Sequence, residues 1–307
     1  MRGILGLLGT AMAFLLLFTA CAKPEYVCTV HRPAYYEVPN KSESYIKKAV
    51  ISIKPDAPTY LGHQAEDFLL QTLTDTIRKN SHRLNLVAPG DAEYPAFMKV
   101  YHPISMQDVF FVTQTARQQG YHCVLQAAVE NIRVHDEKTG MLWFRKTRYF
   151  MTVVVSLDVF DTFTGAKISG NVLEHSVKID PSIYADFLAG SPDAVQTVQA
   201  LVTDMAKDLG ERAADAVADC KWVTSVVRVG NPHISLTSGA SSGLRVGDRL
   251  SIFEGRRIID GQDGEKFIVP GYKVGDVQIT AIDKNSAQAS SVGACDIRPG
   301  DIAVPAM

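Results

Sequence analysis

Five cysteines, Cys21, Cys28, Cys123, Cys220 and Cys295, carry the most versatile chemistry in this chain of 307 residues. A thiol can bind a metal, attack a carbonyl, take a lipid or pair as a disulfide. Metal binding is disfavoured, because no CxxC pair occurs and the eight histidines are scattered, whereas structural zinc needs closely spaced nitrogen and sulfur ligands. Beyond Cys21 the count is even, which in an oxidising compartment invites disulfides among Cys28, Cys123, Cys220 and Cys295. Three connectivities are open and the sequence does not choose. Cys123 opens the apolar run Cys123-Val124-Leu125 and reads equally well as a buried thiol.

Carboxylates give less. Asp158 and Asp161 are three apart on an expected strand, so they face opposite sides of the sheet and cannot share acid–base work without a bulge. Asp161-Thr162-Phe163-Thr164-Gly165 fits a turn better. The GxSxG string Gly239-Ala240-Ser241-Ser242-Gly243 does not sit between a strand and a helix, as a nucleophile elbow must, and there is no HExxH and no Walker loop. The glycines of Ser238–Gly243 do not form GxGxxG and read as a loop. Asp260 to Gly264 lacks the carboxylate spacing and closing Glu of a calcium loop, which leaves a hairpin turn. The expectation is a protein that is not an enzyme, with no cofactor and no metal. His135 to Lys138 before Gly140 reads as a polar hairpin end. Arg145, Lys146 and Arg148 near Trp143 form a basic–aromatic cluster that could touch headgroups or a partner, although a solvated strand end is the commoner outcome.

The N-terminus says where these residues work. Arg2 is followed by an apolar run to Phe18 and then Thr19-Ala20-Cys21. A basic start, an apolar stretch and a small-residue cleavage site make a secretory signal peptide. The run falls short of the roughly 20 apolar residues of a membrane span. Thr19-Ala20 before Cys21 resembles the bacterial lipobox, which implies cleavage before Cys21 and its lipidation. A plain signal peptide with a free Cys21 is the alternative. Ala22-Lys23 lacks the Asp that holds lipoproteins in the inner membrane, which implies the periplasmic face of the outer membrane. A formal net charge of −2 argues against nucleic acid, which needs a basic patch.

The elements that position these residues fall into segments. Residues 1–20 are the lipoprotein signal peptide and 21–45 a Pro-containing linker. Residues 46–220 alternate strand and helix. Ala49–Ile53 is a strand, residues 62–80 a helix and Leu84–Val87 a strand. A helix N-capped by Ser105 runs to Gly120. Strands follow over 123–135, 148–161 and 166–177. In the second, Tyr149, Met151, Val153, Val155, Leu157 and Val159 share one face by strict alternation. A last helix is expected from Ser191 as N-cap with Pro192 at its first position. Residues 221–307 change to short strands between Gly, Asp and Pro, which favours a small β-barrel. Leu244–Leu250 and Ile297–Ala303 echo one another through a Gly-Asp turn, as equivalent corners of one barrel would. The fold class is therefore α+β: a small mixed sheet covered by helices, followed by a small C-terminal β-barrel.

This order resembles the middle and C-terminal domains of the flagellar H-ring assembly protein T family. The residues that carry it are the Ala49–Ile53 strand with its helix, Val153–Gly165, and the tail motifs Gly243-Leu244, Gly247-Asp248, Gly275-Asp276-Val277 and Ile297–Asp301. The resemblance implies a non-enzymatic scaffold of the flagellar basal-body outer ring, with protein partners in an envelope assembly and an outer membrane reached through the lipid anchor. Family members carry an extra N-terminal domain where this chain has a linker. A second resemblance covers only the α/β body. Leu157–Gly165 and Gln118–Leu125 are similar to the curli-secretion channel lipoprotein family, which implies a homo-oligomer in a secretion system. A periplasmic hydrolase is the third class, set last because no catalytic constellation is legible.

Overall fold

The computed structural model describes residues 44–55, 60–100, 106–140, 142–230, 233–292 and 296–306. The expected signal peptide, nearly all of the linker, the Ser105 cap, Cys21, Cys28 and Cys295 lie outside the described residues.

The fold is α+β, as the sequence pattern predicts. The first sheet has five strands in the order β2-β1-β3-β4-β5: β1 Lys47–Lys54, β2 Leu84–Val87, β3 Cys123–Thr139, β4 Lys146–Asp161 and β5 Lys167–Ile179. β1 runs parallel to β2 and β3, and the rest is antiparallel. The parallel pairs need crossovers, which the helices α1 (Tyr60–Asn80) and α3 (Met106–Gln118) supply. A short helix α2 (Ala96–Val100), not expected from the sequence, precedes α3.

One sheet face packs under α1 and the long helix α5 (Val195–Asp219). Met151, Val153, Val155, Leu157 and Val159 are at most 1% exposed there, so strict alternation marked the core face correctly. Val198, Val202, Met205, Leu209 and Ala213 meet them from α5 at helical spacing. α2 and α3 cover the other face through Phe97, Met98, Val109, Val112 and Ala116.

Two boundary expectations change. Ser191 does not cap α5. Its Oγ accepts the Asp193 amide over a one-turn 3-10 segment, Pro192–Ala194, and α5 starts after it. A further short helix, α4 (Pro181–Leu188), follows β5 directly, with Pro181 at its first position. The strand expected to stop at 135 runs on to Thr139: His135 to Lys138, the expected polar hairpin end, are paired in β3 opposite Phe150 to Thr147. Polarity there reflects a ladder that has outrun the core.

The C-terminal strands close into a six-stranded barrel in the order β11-β12-β7-β6-β13-β8. These are β6 Thr224–Val229, β7 His233–Leu236, β8 Arg249–Phe253, β11 Lys273–Ile282, β12 Ala287–Val292 and β13 Ile302–Pro305. Closure removes free edges. Trp222, Leu236, Leu250, Ile252, Val277 and Ile279 fill the interior. β9 (Arg257–Asp260) and β10 (Lys266–Val269) form a separate hairpin around the expected Asp260-to-Gly264 turn.

The two Gly-Asp copies are equivalent corners in atomic detail. In the first, Asp248 accepts the Arg245 amide (2.8 Å), the Gly247 amide donates to Ile279 O (2.9 Å), and the Ile279 amide donates to Asp248 O (2.9 Å). In the second, Asp301 accepts the Arg298 amide (2.8 Å), the Gly300 amide donates to Val226 O (2.8 Å), and the Val226 amide donates to Asp301 O (2.8 Å). Both corners need a left-handed residue, with φ +95° at Gly247 and +91° at Gly300, a region glycine enters without a Cβ penalty.

Candidate functional site

The α/β layer and the barrel are joined by a buried cation. Arg117, in the last turn of α3, is 5% exposed. Its Nε donates to Ser225 Oγ (3.1 Å), and Nη2 donates to Gly300 O (2.6 Å) and Gly255 O (3.2 Å). Nη1 reaches Phe163 O at 3.5 Å. One guanidinium thus gathers the turn after β4, the loop after β8 and the second Gly-Asp corner. Its planar fork of five donors suits such a set, which a lysine could not match. Burial lowers its pKa to about 10, opposed by the charges of Asp161 and Asp301.

Asp161 does not act as an acid–base partner of Asp158. It accepts hydrogen bonds from the Phe163 and Thr164 amides and from Thr164 Oγ1 (2.6 Å), the bonds of an Asx turn. Burial pushes its carboxyl pKa up, against those hydrogen bonds and Arg117. Asp158 instead pairs with Lys167 at 3.2 Å. Across the junction the Ile268 amide of β10 donates to Thr164 O (2.8 Å), so the barrel's side hairpin also docks on this turn.

A second seam lies at the start of β1. Tyr45 stacks on Trp222 with ring centroids 4.5 Å apart, and the Ile46 amide donates to Ser242 O. The end of the expected linker is therefore packed on the barrel. His122, 1% exposed, lies 5.9 Å from the Trp222 ring, and its Nδ1 accepts the Lys48 amide at 3.0 Å. That bond puts the ring proton on Nε2. Burial lowers the His122 pKa to about 4. Glu93 takes Lys284 of the barrel at 2.8 Å and Lys48 at 3.9 Å, an exposed bridge worth little by itself.

Beside this seam is an open cleft of about 540 Å³ between the end of α1, the start of β2 and the end of α5. Lys47, His82, Arg83, Asp215 and Asp219 are among its lining residues. The Lys47 ammonium donates to Val217 O (3.0 Å) and Ala218 O (2.5 Å), capping the C-terminus of α5. The cation stabilises the negative end of the helix dipole; it is held by structure and not poised for chemistry. Among the described residues no group of three or more His, Cys, Asp or Glu is placed to hold a metal. Among them, too, no helix is long and apolar enough to cross a membrane.

Of the four cysteines open to pairing, the structure brings two together. Cys123, at the base of β3, meets Cys220, just after α5, sulfur to sulfur, with Cα atoms 7.3 Å apart and a sequence separation of 97.

The most exposed apolar side chains are at the far end of the β3–β4 hairpin. Past a register shift between Val129 and Asn131, Ile132 and Val134 still pack on the core, and β3 leaves it beyond Val134. β5 supports β4 only as far as Tyr149, so the last three pairs, Glu137↔Arg148 to Thr139↔Lys146, stand as a two-stranded arm. Its tip carries Trp143 at 91% and Phe144 at 82% exposure. The basic–aromatic cluster of the sequence is thus real as a surface. Arg117 was missed, because nothing local distinguishes it from any basic residue closing a helix.

No protein-family model and no curated protein matches the chain. Solved structures with a similar arrangement include a minor lipoprotein from Acinetobacter baumannii, 11% identical, covering 55% of this chain and 93% of that one at TM-score 0.30. PelC from Paraburkholderia phytofirmans, a dodecamer, is 19% identical and covers 58% of this chain and 92% of that one at TM-score 0.28. Lipoprotein GNA1162 from Neisseria meningitidis is 10% identical and covers 50% of this chain and 99% of that one at TM-score 0.28.

Proposed function

We propose that this chain is a non-enzymatic lipoprotein of the outer membrane, anchored through Cys21 on the periplasmic face. It serves as an assembly or scaffold component of the flagellar basal-body outer ring. The observation that carries the reading is the pairing of a helix-covered mixed sheet with a closed C-terminal barrel, fastened by Arg117. That is the order of parts the H-ring resemblance implies, whereas the curli-secretion resemblance covers the α/β body alone. A firmly joined body suits a part that holds others at fixed distance. The Cys123–Cys220 contact supports an oxidising compartment.

A clean deletion is expected to impair swimming and outer-ring assembly and to leave other envelope functions intact. Normal basal bodies and normal swimming would remove the flagellar reading. The anchor is tested separately by fractionation. Cys21→Ser is expected to leave the outer-membrane fraction while remaining folded, and function falls because local concentration at the membrane falls. Retention of Cys21→Ser in that fraction would overturn the anchor.

A further inference from the structure

We propose that the tip of the β3–β4 hairpin is a second membrane contact, one that lays Trp143 and Phe144 into the interface of an anionic lipid surface. The inference takes its location from the envelope reading above. Its chemistry comes from the tip itself.

A soluble protein has little reason to present a tryptophan at 91% exposure next to a phenylalanine at 82%. Trp143 and Phe144 lie in the short helical turn Leu142–Phe144 between β3 and β4, where the hairpin reverses. Tryptophan is favoured at bilayer interfaces because its ring is apolar and its N–H is wet. Around it, residues 138–148 hold Lys138, Arg145, Lys146 and Arg148 and no acid. All four are exposed. The nearest acids, Asp136 and Glu137, are set back along the arm, with Glu137 opposite Arg148. Cations ringing an apolar point match phosphate headgroups over acyl chains; an acidic protein partner would need no such point.

Reach permits the contact. The described body begins at Ser44, 23 residues after Cys21, and such a segment can extend to about 80 Å at about 3.5 Å per residue. β3 spans its 17 residues in about 55 Å at about 3.3 Å per residue. A body held by its N-terminus can therefore turn its tip to the same bilayer. Trp143 also lies outside the body's cores, so the tip can change without touching the fold.

The test uses the full mature chain carrying Cys21→Ser, so that no acyl chain contributes, with vesicles of phosphatidylethanolamine and phosphatidylglycerol against vesicles of phosphatidylcholine. The two tryptophans separate cleanly, since Trp222 is fully buried. A blue shift on adding vesicles therefore reports Trp143. Binding to the anionic vesicles with that shift is expected. The double variant Trp143→Ala, Phe144→Ala should weaken binding at least tenfold and abolish the shift, with an unchanged circular dichroism spectrum. Arg145→Gln and Lys146→Gln should each weaken it about fivefold at low salt. No binding, binding indifferent to the tip variants, or loss of a captured protein partner without any vesicle shift would each overturn the proposal. Because residue 21 carries no acyl chain in any of these proteins, none of these outcomes bears on the Cys21 anchor, which fractionation tests alone.

Discussion

Replacing Arg117 by methionine keeps much of the side-chain volume and removes every guanidinium donor at the junction. Three buried acceptors then lose their partner: Ser225 Oγ, Gly255 O and Gly300 O. At about 2 kcal/mol per orphaned buried group the gross loss is about 6 kcal/mol. Part returns, because a buried charge is removed. The lowering of the Arg117 pKa from 12.5 to about 10 corresponds to about 3 kcal/mol of charge-burial cost relieved by the apolar side chain. The expected net destabilisation is about 3 kcal/mol. Urea unfolding followed by two signals reads it. Trp222 fluorescence reports the barrel core, and far-ultraviolet circular dichroism is dominated by the helices of the α/β layer. In the native chain the two curves should coincide. In Arg117→Met both midpoints should fall, and the barrel signal should separate from the helix signal, since the junction binds them into one transition. Arg117→Lys should lie between, keeping charge but not the fork. A loss under about 1 kcal/mol, or a large loss with the curves still superimposed, would refute the clasp as the coupling element.

Two further outcomes follow from the same seams. His122 is buried neutral, with its pKa lowered to about 4. As pH falls from about 6.5 to 4 the unfolded chain takes up a proton that the folded one refuses, so stability should drop by about 3 kcal/mol over that window. His122→Gln should flatten this part of the urea midpoint-versus-pH profile, and an unchanged slope would dismiss His122 as its source. At the corners, Asp301 is fully buried and also pairs with Arg256 at 2.9 Å, while Asp248 is half-buried. Asp301→Asn should therefore cost about 2 kcal/mol and Asp248→Asn under about 0.5 kcal/mol by chemical denaturation. Equal costs would show that burial does not distinguish the two corners.

What could be read from the chain alone followed the physics of each element. β4 was legible because one face is dry and the other wetter, so polarity alternates. The two corners were legible because a Gly-Asp turn has local chemistry. β13 was not, since all four residues of Ile302–Pro305 are buried and no alternation remains. β12, Ala287-Gln-Ala-Ser-Ser-Val, is small and polar and carries weak strand signal. β3 was read as ending at 135, four residues short, because the polar residues that follow reflect lack of cover, not lack of pairing. The junction lay furthest out of reach. The acceptors on Arg117 come from 46 to 183 residues away, and no local pattern encodes a meeting of that kind.

The position of β13 has a bearing on when this protein can become itself. It is the last described strand in the chain, yet it sits between β6 and β8, the two that bracket the opening of the barrel sequence. Synthesis delivers residues in order. The helices and five-stranded sheet can settle while the later strands wait as an open, edge-exposing ribbon. Only when residues 297–305 arrive do the second corner form, the ring of strands shut and Gly300 present its carbonyl to Arg117. The contact made by α3 is therefore among the last to be completed, although its donor is among the earlier residues to emerge. A chain stalled before that point would carry a buried-type cation facing water and a sheet with two bare edges, a species suited to capture by a chaperone and prone to aggregate without one.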